Sequence, residues 1–183
     1  MNTNKTTKKL VYIGMLSAIA FGFYFLEVSI GFLFPAAPFL KIDFSDLPAY
    51  VGAVGLGPVS GIVIEAIKNI LHISITKEPA FSGEIGNFLA GVAMILPASL
   101  ILRKKFNWKG ILLSICIGTL CATAVMAFAN YFITLPLYGI NDHAAKMSMI
   151  YAAFIPFNIL KGVVISILSI LVYRALRGKI FKN

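Results

Sequence analysis

The chain has 183 residues, of which 59% are hydrophobic and only 13% are charged, and its mean hydropathy is +0.90. A soluble domain carries about 25% charged residues, so this composition excludes a typical soluble protein and predicts an integral membrane protein. The net charge of +9 could suggest nucleic-acid binding. The basic residues instead cluster at the ends of predicted helices, which is the pattern that orients membrane proteins.

The first predicted span covers residues 10–30 and follows a short polar tail. It is long enough to be retained as a spanning helix, and no small-residue cleavage site of a signal peptide is evident. Within it, Gly14, Ala18 and Gly22 recur every four positions on one helix face, where another helix can approach closely. The approaching helix belongs either to the same bundle or to a partner protein.

A proline-bounded segment, residues 38–48, separates the first span from the second. Prolines fix φ and remove backbone donors, which predicts an ordered extended loop that runs into a helix. Ser45 or Asp46 could cap that helix, with Pro48 in its first turn. The segment is either a connector outside the membrane or a loop folded over a ligand. Its charged residues are Lys41, Asp43 and Asp46.

Five further spans are predicted, at residues 45–56, 58–75, 83–102, 109–135 and 149–176. Glu65 and Lys68 lie three apart in the third span, so they share a face and could pair, either to fix helix packing or near a ligand. We expect His72 at the membrane interface. Glu84 lies at the start of the fourth span, where a carboxylate is favourable with the helix dipole.

The two cysteines, Cys116 and Cys121, lie in one apolar helix. Five residues apart on a helix, they do not face each other. We therefore expect two free core thiols and no metal site.

Membrane topology follows from the distribution of the sixteen basic residues. Eleven lie at one set of predicted helix ends: Lys5, Lys8, Lys9, Arg103, Lys104, Lys105, Lys109, Arg174, Arg177, Lys179 and Lys182. The opposite ends hold Lys41, Lys77 and Lys146, and Lys68 and Lys161 lie inside spans. Six spans with both termini cytoplasmic therefore fit the positive-inside rule. We expect an all-α, six-helix, multi-pass protein of the plasma membrane, with a single domain over residues 1–183.

Polar side chains converge in the outer half of this predicted bundle. Asn87, Asn130 and Asn158 all lie there, and Lys161 is one turn deeper than Asn158 on the same face. A buried lysine and buried carboxamides need partners, which are either one another or a planar ligand rich in donors and acceptors. Five aromatic residues could form apolar and stacking walls of a cavity under the loop: Phe39, Phe44, Phe128, Tyr131 and Phe157.

Four motifs connect the chain with a known family. They are Leu40-Lys-Ile-Asp-Phe-Ser-Asp-Leu-Pro48, Gly57-Pro-x-x-Gly61 followed by Glu65-x-x-Lys68-Asn69, Gly83-Glu-x-x-Asn87-Phe, and Asn158-x-x-Lys161-Gly162. Over nearly its whole length, the chain resembles the S components of energy-coupling factor (ECF) transporters, specifically the riboflavin-specific S component. The resemblance implies a six-helix fold with an outward-facing flavin site under the first loop.

The resemblance also implies which residues bind the ligand. By motif match, Asn130, Asn158 and Lys161 hydrogen-bond the isoalloxazine ring. The complete expected ligand-binding set is Leu40, Lys41, Asn87, Asn130, Asn158 and Lys161. Riboflavin is then a transported ligand rather than a cofactor, and binding of FMN is left open.

A transporter of this kind needs partners that this chain does not replace. The sequence has no Gly-x-x-x-x-Gly-Lys-Ser/Thr phosphate loop, so it cannot itself hydrolyse ATP. The resemblance implies a transmembrane coupling subunit and two ATPase subunits. In the family, an Ala-x-x-x-Ala motif on the first helix contacts the coupling subunit. This chain has Gly14, Ala18 and Gly22 at that spacing, and we expect them to form the docking face.

Three alternatives remain open at this point: an S component for another vitamin, an intramembrane enzyme, and a scaffold protein without a ligand. The sequence contains neither a His-Glu-x-x-His nor a Gly-x-Ser-x-Gly pattern. It has only two histidines, and neither is paired with a plausible nucleophile. We therefore expect no enzymatic activity.

Overall fold

The computed structural model describes residues 3–76 and 79–181. Within these residues, six main helices form the molecule: α1 (Thr3–Tyr24), α2 (Asp46–Leu56), α3 (Pro58–Ile73), α4 (Ser82–Lys104), α5 (Trp108–Leu137) and α6 (His143–Leu176). Two short strands, β1 (Glu27–Ser29) and β2 (Lys41–Asp43), lie between α1 and α2. The predicted all-α, six-helix fold is confirmed.

Three helices in the described part of the chain are long and apolar enough to cross a membrane, namely α4, α5 and α6. Helix α1 has 22 residues, but its first turns carry the lysines of the polar tail. Helices α2 and α3 have only 11 and 16 residues and meet at Gly57, whose φ of 114° favours glycine. The short pair brings charged residues of the loop and of α3 inside the bundle.

The predicted limits of the first span were wrong at both ends. Helix α1 includes the described part of the tail from Thr3 onward, because its lysines are good helix formers, and it ends at Tyr24. The chain then enters β1, which pairs antiparallel with β2, so that Glu27 lies opposite Asp43. An ion pair between Lys41 and Glu27 joins the two strands. Residues 30–40 separate the two strands in the sequence, and the pairing holds the proline-bounded loop in place.

Helix α2 begins at Asp46, and Pro48 lies in its first turn as predicted. The capping prediction was wrong, because Ser45 occupies the N-cap position without a capping hydrogen bond. The Ser45 hydroxyl instead donates to Asp43 and accepts a hydrogen bond from Lys68 Nζ at 2.8 Å. The Ser45 side chain therefore bonds to Asp43 and Lys68 rather than to the backbone N–H groups at the start of α2.

Helices α5 and α6 each contain a five-residue π-helical segment, Asn130–Thr134 and Ile150–Phe154. Pro136 and Pro156 lie two residues after the respective segments. A proline inside a helix cannot donate to the carbonyl four residues earlier and clashes with it, so the backbone widens there. Helix α6 also begins earlier than predicted, at His143, because the Asp142 side chain accepts a hydrogen bond from a backbone N–H in its first turn.

Basic residues near the ends of several helices lie at the same end of the bundle. Arg103 near the end of α4 donates to the carbonyl of Val54 in α2 at 2.9 Å. Arg177, just beyond α6, lies over the ring of Phe106, which precedes α5. The ends of α2, α4 and α6 and the beginning of α5 therefore share one side. Lys77 and Lys182, which entered the topology prediction, lie outside the described residues.

The two cysteines are free, but the prediction that they lie in the core was wrong. Cys116 is exposed and Cys121 is half-buried. Both lie on α5, whose outward face carries exposed apolar residues such as Leu113 and Leu120. In a membrane protein, that face is available to lipid, so an apolar sequence position is not necessarily an interior one.

Candidate functional site

A cavity of about 250 Å³ lies at the end of the bundle opposite the basic residues. It is lined by helices α1 and α3–α6 and by residues 25–45, which contain β1 and β2 and are called the hairpin loop below. Its rim includes exposed side chains such as Phe39, Lys41 and Tyr138. All six residues of the expected ligand-binding set line the cavity: Leu40, Lys41, Asn87, Asn130, Asn158 and Lys161. The fold thus brings together residues that are as much as 121 positions apart in the sequence, from Leu40 to Lys161.

Asp43 of strand β2 connects the loop to two helices at the cavity. Its Oδ2 atom lies 2.9 Å from Lys161 Nζ and accepts a hydrogen bond from Asn87 Nδ2 at 3.1 Å. Lys161 also lies 3.2 Å from Asp46 Oδ2. These contacts fix the loop against α4 and α6 and place the ammonium group of Lys161 at the cavity wall.

The electrostatic environment keeps Asp43 ionised. Burial by itself raises the pKa of this carboxyl group. The positive charges of Lys161 and Lys68, together with a hydrogen bond from Ser45, outweigh burial and hold the pKa of Asp43 below its usual range. Asp43 can therefore act as a permanent anionic partner of Lys161.

A second set of charges lies beneath the loop, around Lys68. The predicted pair of Glu65 and Lys68 is confirmed, with Lys68 Nζ 2.9 Å from Glu65 Oε2. Lys68 also pairs with Asp46, and all three residues are at most 1% exposed. Isolated buried charges are very costly, so these groups stabilise the fold only as a set in which each has a partner of opposite charge.

Two carboxamides at the cavity have polar atoms without partners. Asn130 Nδ2 and Asn87 Oδ1 are buried, and neither has a hydrogen-bond partner among the described residues. Asn158 donates from Nδ2 to the carbonyl of Phe154 at 2.7 Å, across the end of the π-helical segment. Buried polar groups are nearly always paired in folded proteins, and these two unpaired atoms belong to residues that line the cavity, where a bound molecule could pair with them.

The outer part of the cavity contains a cluster of three side chains from three helices. The rings of Tyr24 and His72 are stacked with centroids 4.0 Å apart, and His72 Nδ1 lies 2.6 Å from Glu84 Oε1. Tyr24 donates through its hydroxyl to Asn69 Oδ1 at 2.5 Å. His72 is thus half-buried in the cavity wall, and Glu84 has a hydrogen-bond partner in addition to the helix dipole expected from its position.

The predicted aromatic walls were only partly right. Phe39 and Phe157 line the cavity, whereas Phe44, Phe128 and Tyr131 do not. Tyr131 follows Asn130 directly, and neighbouring residues on a helix do not point the same way. It instead contacts His143, and Phe128 is 65% exposed on the outside of α5. The cavity receives its other aromatic side chains from Tyr24, Tyr138 and Phe154.

Sequence reasoning missed Asp43, Tyr24, His72 and Glu84 as cavity residues. A signal for Asp43 was available in the charges. Lys68 and Lys161 were both assigned to spans, and two buried lysines require nearby carboxylates. The loop between the prolines is rich in such groups. No comparable signal exists for the Tyr24–His72 contact, because it depends on how α1 and α3 pack.

The small-residue face of α1 lies on the outside of the bundle. Gly14, Ala18 and Gly22 are all exposed, and no atom lies within 4 Å of a Cβ built at either glycine. Ser17, on another side of the helix, is buried and donates to the carbonyl of Ile13. In the described residues, this face therefore does not pack against a helix of the same bundle.

Comparison with known proteins gives consistent results. Residues 8–173 match the family described as ECF transporter, substrate-specific component. The chain is 41% identical to the riboflavin transporter RibU of Staphylococcus aureus (strain TCH60), covering 92% of this chain and 90% of that protein. It is 39% identical to the riboflavin transporter FmnP of Bacillus subtilis (strain 168), covering 93% and 92%.

A solved structure has the same fold. It is described as "Structure and mechanism of the S component of a bacterial ECF transporter" and matches with a TM-score of 0.80 at 40% identity. The match covers 93% of this chain and 96% of the solved one. The family match, the similar relatives and the shared fold together show that this chain belongs to the substrate-specific (S) components of ECF transporters.

Proposed function

We propose that the protein is the riboflavin-binding S component of an ECF-type importer and captures the vitamin in the cavity beneath the hairpin loop. The observation that carries this proposal is the convergence of six expected ligand-binding residues on one cavity with unpaired buried polar atoms. Riboflavin transporters at 39–41% identity support the choice of ligand. The protein is a transport component rather than an enzyme.

The cavity chemistry suits an isoalloxazine ring. The ring is planar and apolar on its faces, which suits the aromatic residues Phe39 and Phe157, and its polar edge carries both donors and acceptors. Asn130 has a free Nδ2 donor for that edge. Lys161 has three N–H groups, and its contacts with Asp43 and Asp46 leave one for a ligand oxygen or nitrogen.

The loop residues have different roles in this proposal. Leu40 is 8% exposed and lies in the apolar core that borders the cavity, so it supplies apolar contact to the ring. Lys41 lies at the rim, paired with Glu27 and about half exposed. Asn87 completes the set through its unpaired Oδ1 atom, while its Nδ2 atom holds Asp43.

Import requires energy from partners. We infer that a transmembrane coupling subunit and two ATPase subunits supply it, and that the coupling subunit docks on the exposed face of α1 formed by Gly14, Ala18 and Gly22. The absence of a phosphate-loop motif from the sequence supports the need for such partners. The small side chains allow close helix approach, which supports this face as the docking surface.

We further infer a single domain over residues 1–183 in the plasma membrane, with both termini cytoplasmic and the cavity facing outward. The test is cysteine labelling in a background carrying Cys116→Ser and Cys121→Ser, because the native Cys116 is exposed. A cysteine at His143 should react with an impermeant thiol reagent from outside, and a cysteine at Lys105 should not. The reverse pattern would invert the proposed topology.

Flavin titration tests the function directly. Purified protein should bind riboflavin one-to-one and quench its fluorescence. Lys161→Ala should weaken binding by about 10- to 150-fold, because loss of a hydrogen bond to a charged group costs about 1.5–3 kcal/mol. Lys179→Ala, at the opposite end, is the matched control and should bind like the wild type. Absence of quenching by the wild type would reject riboflavin as the ligand, and unchanged affinity of Lys161→Ala would remove that residue from the site.

A further inference from the structure

A second group of unpaired polar atoms lies in the outer part of the cavity, where no ligand-binding role has been assigned above. Ser82 Oγ and Glu84 Oε2 are buried without a hydrogen-bond partner among the described residues. Ser82 is 1% exposed and Glu84 is 3% exposed, and both line the cavity. A buried polar atom is costly unless a donor or acceptor pairs with it.

The geometry fixes the Glu84 carboxylate and leaves one side of it free. Its Oε1 atom lies 2.6 Å from His72 Nδ1, and the His72 ring is stacked on Tyr24. The Tyr24 hydroxyl is in turn bonded to Asn69. Neighbours from α1 and α3 thus orient one carboxylate oxygen, whereas the other is buried at the cavity wall without a partner among the described residues.

This group is separate from the polar groups assigned to the flavin ring. Asn87 lies three residues after Glu84, so it is about 5 Å, or nearly one helical turn, further along α4. Asn87 bonds Asp43, and Asp43 bonds Lys161. The cavity therefore has an inner set of groups around Lys161 and an outer set around Glu84.

We propose that Glu84 and Ser82, with His72 as the positioning residue, form a subsite for the polyhydroxyl chain of the flavin. Sugar-alcohol hydroxyls can donate to Glu84 Oε2 and can both donate to and accept from Ser82 Oγ. Glu84 is held in place by His72 and has an acceptor oxygen without another partner among the described residues, so it carries the larger part of the recognition. This inference rests on the proposed riboflavin function and adds to it the residues that read the chain rather than the ring.

The test compares riboflavin with lumiflavin, which has the same ring but a methyl group in place of the chain. Glu84→Ala should weaken riboflavin binding by about 10- to 150-fold and Ser82→Ala by about 2- to 10-fold. Both variants should bind lumiflavin as the wild type does, because the methyl group does not reach the subsite. Lys161→Ala is the matched control and should weaken both flavins.

The positioning role of His72 has its own readout. His72→Ala should weaken riboflavin binding without changing lumiflavin binding, and it should do so only when Glu84 is present. In the Glu84→Ala background, the additional His72→Ala change should therefore have little further effect. Equal losses in the two backgrounds would show that His72 does not act through Glu84.

The outcomes separate the two proposals. Equal loss of both flavins in Glu84→Ala and Ser82→Ala, or no loss of either, would overturn the subsite while leaving the riboflavin function intact. Failure of the wild type to bind any flavin would overturn the function and the subsite together. If Glu84→Ala does not fold, Ser82→Ala decides, because the Ser82 hydroxyl has no partner in the described residues that the substitution could disrupt.

Discussion

Two polar regions inside the bundle differ in their surroundings: in one, side chains of opposite charge pair with each other, and in the other, polar side chains line a cavity. Beneath the loop, Lys68 pairs with Asp46 and with Glu65, and these residues are at most 1% exposed. At the cavity, by contrast, Asn130 and Glu84 each have a buried polar atom with no partner among the described residues. In the first region each charge has an oppositely charged partner inside the protein, so this region holds the loop to α3 by itself, even though Asp46 Oδ2 and Glu65 Oε1 accept no hydrogen bond from the described residues. In the second region, the unpaired atoms belong to residues that line a cavity.

Asp43 and Lys161 belong to both regions. Lys161 pairs with Asp43 and Asp46, which ties it to the charges beneath the loop, and it also lines the cavity. A ligand bound in the cavity would therefore contact a residue that also holds the loop in place. Substitutions can distinguish the two regions, because a change in the first should affect stability and a change in the second should affect ligand binding.

The largest effect is expected from Lys68→Met. The substitution keeps most of the length of the side chain but leaves the buried Asp46 and Glu65 without their shared cation. Removing one partner of a buried ion pair costs about 3–5 kcal/mol in the free energy of unfolding. Thermal unfolding of the detergent-purified protein measures this. Lys104→Met, at the exposed end of α4, is the control and should change stability by less than about 0.5 kcal/mol. Wild-type stability of Lys68→Met would show that the charges beneath the loop do not hold the fold.

Asp43→Asn should lower both stability and riboflavin affinity, because Asp43 contacts Lys161 and Asn87. Loss of a hydrogen bond to a charged group predicts a cost of about 1.5–3 kcal/mol. The pKa of Asp43 is lowered in the folded protein, so its contribution is present above the unfolded-state pKa and is lost as the pH falls through the folded-state pKa. The difference in stability between wild type and variant should therefore be constant from pH 8 to pH 5. A difference that disappears within this range would contradict the ionised state of Asp43.

Asn130→Ala should separate binding from stability. Its Nδ2 atom has no partner among the described residues, so the substitution removes a potential ligand contact without breaking a bond inside the fold. We expect riboflavin binding to weaken by about 10-fold with little change in unfolding temperature. Asn107→Ala is the opposite control: this side chain caps α5, so its loss should cost about 1 kcal/mol of stability and leave binding unchanged. If Asn130→Ala lost stability but still bound riboflavin normally, Asn130 would be a residue of the fold and not of the ligand site.

The sequence allowed the helices, the loop and the inner cavity residues to be predicted for physical reasons. Apolar length determines the spans, and Asn158 and Lys161 share a face because they are three residues apart. The outer cluster of Tyr24, His72 and Glu84 was not predicted, because it depends on the packing of α1, α3 and α4. The orientation of Phe128 was also missed, since a helix that faces lipid on one side has no polar residues to mark that side.

The small-residue face of α1 belongs to neither polar region. Gly14 and Gly22 have open space where a Cβ would lie, whereas a Cβ at Gly91 in α4 would lie 2.6 Å from the Glu65 carboxylate. The same residue type thus serves two purposes. Gly91 makes room for a buried charge of the fold, and the glycines of α1 leave a surface to which another protein can come close.

Ala18→Leu should therefore have the smallest effect on stability and on riboflavin binding, and yet should abolish uptake. The added side chain projects from an exposed position and does not touch the cavity, but it prevents close approach of a partner helix. We expect wild-type flavin titration, loss of co-purification with the coupling complex, and no riboflavin uptake by cells. Gly91→Leu is the matched interior control and should unfold the protein. Normal uptake by Ala18→Leu would show that docking uses another surface, and loss of flavin binding would show that the face of α1 is linked to the cavity after all.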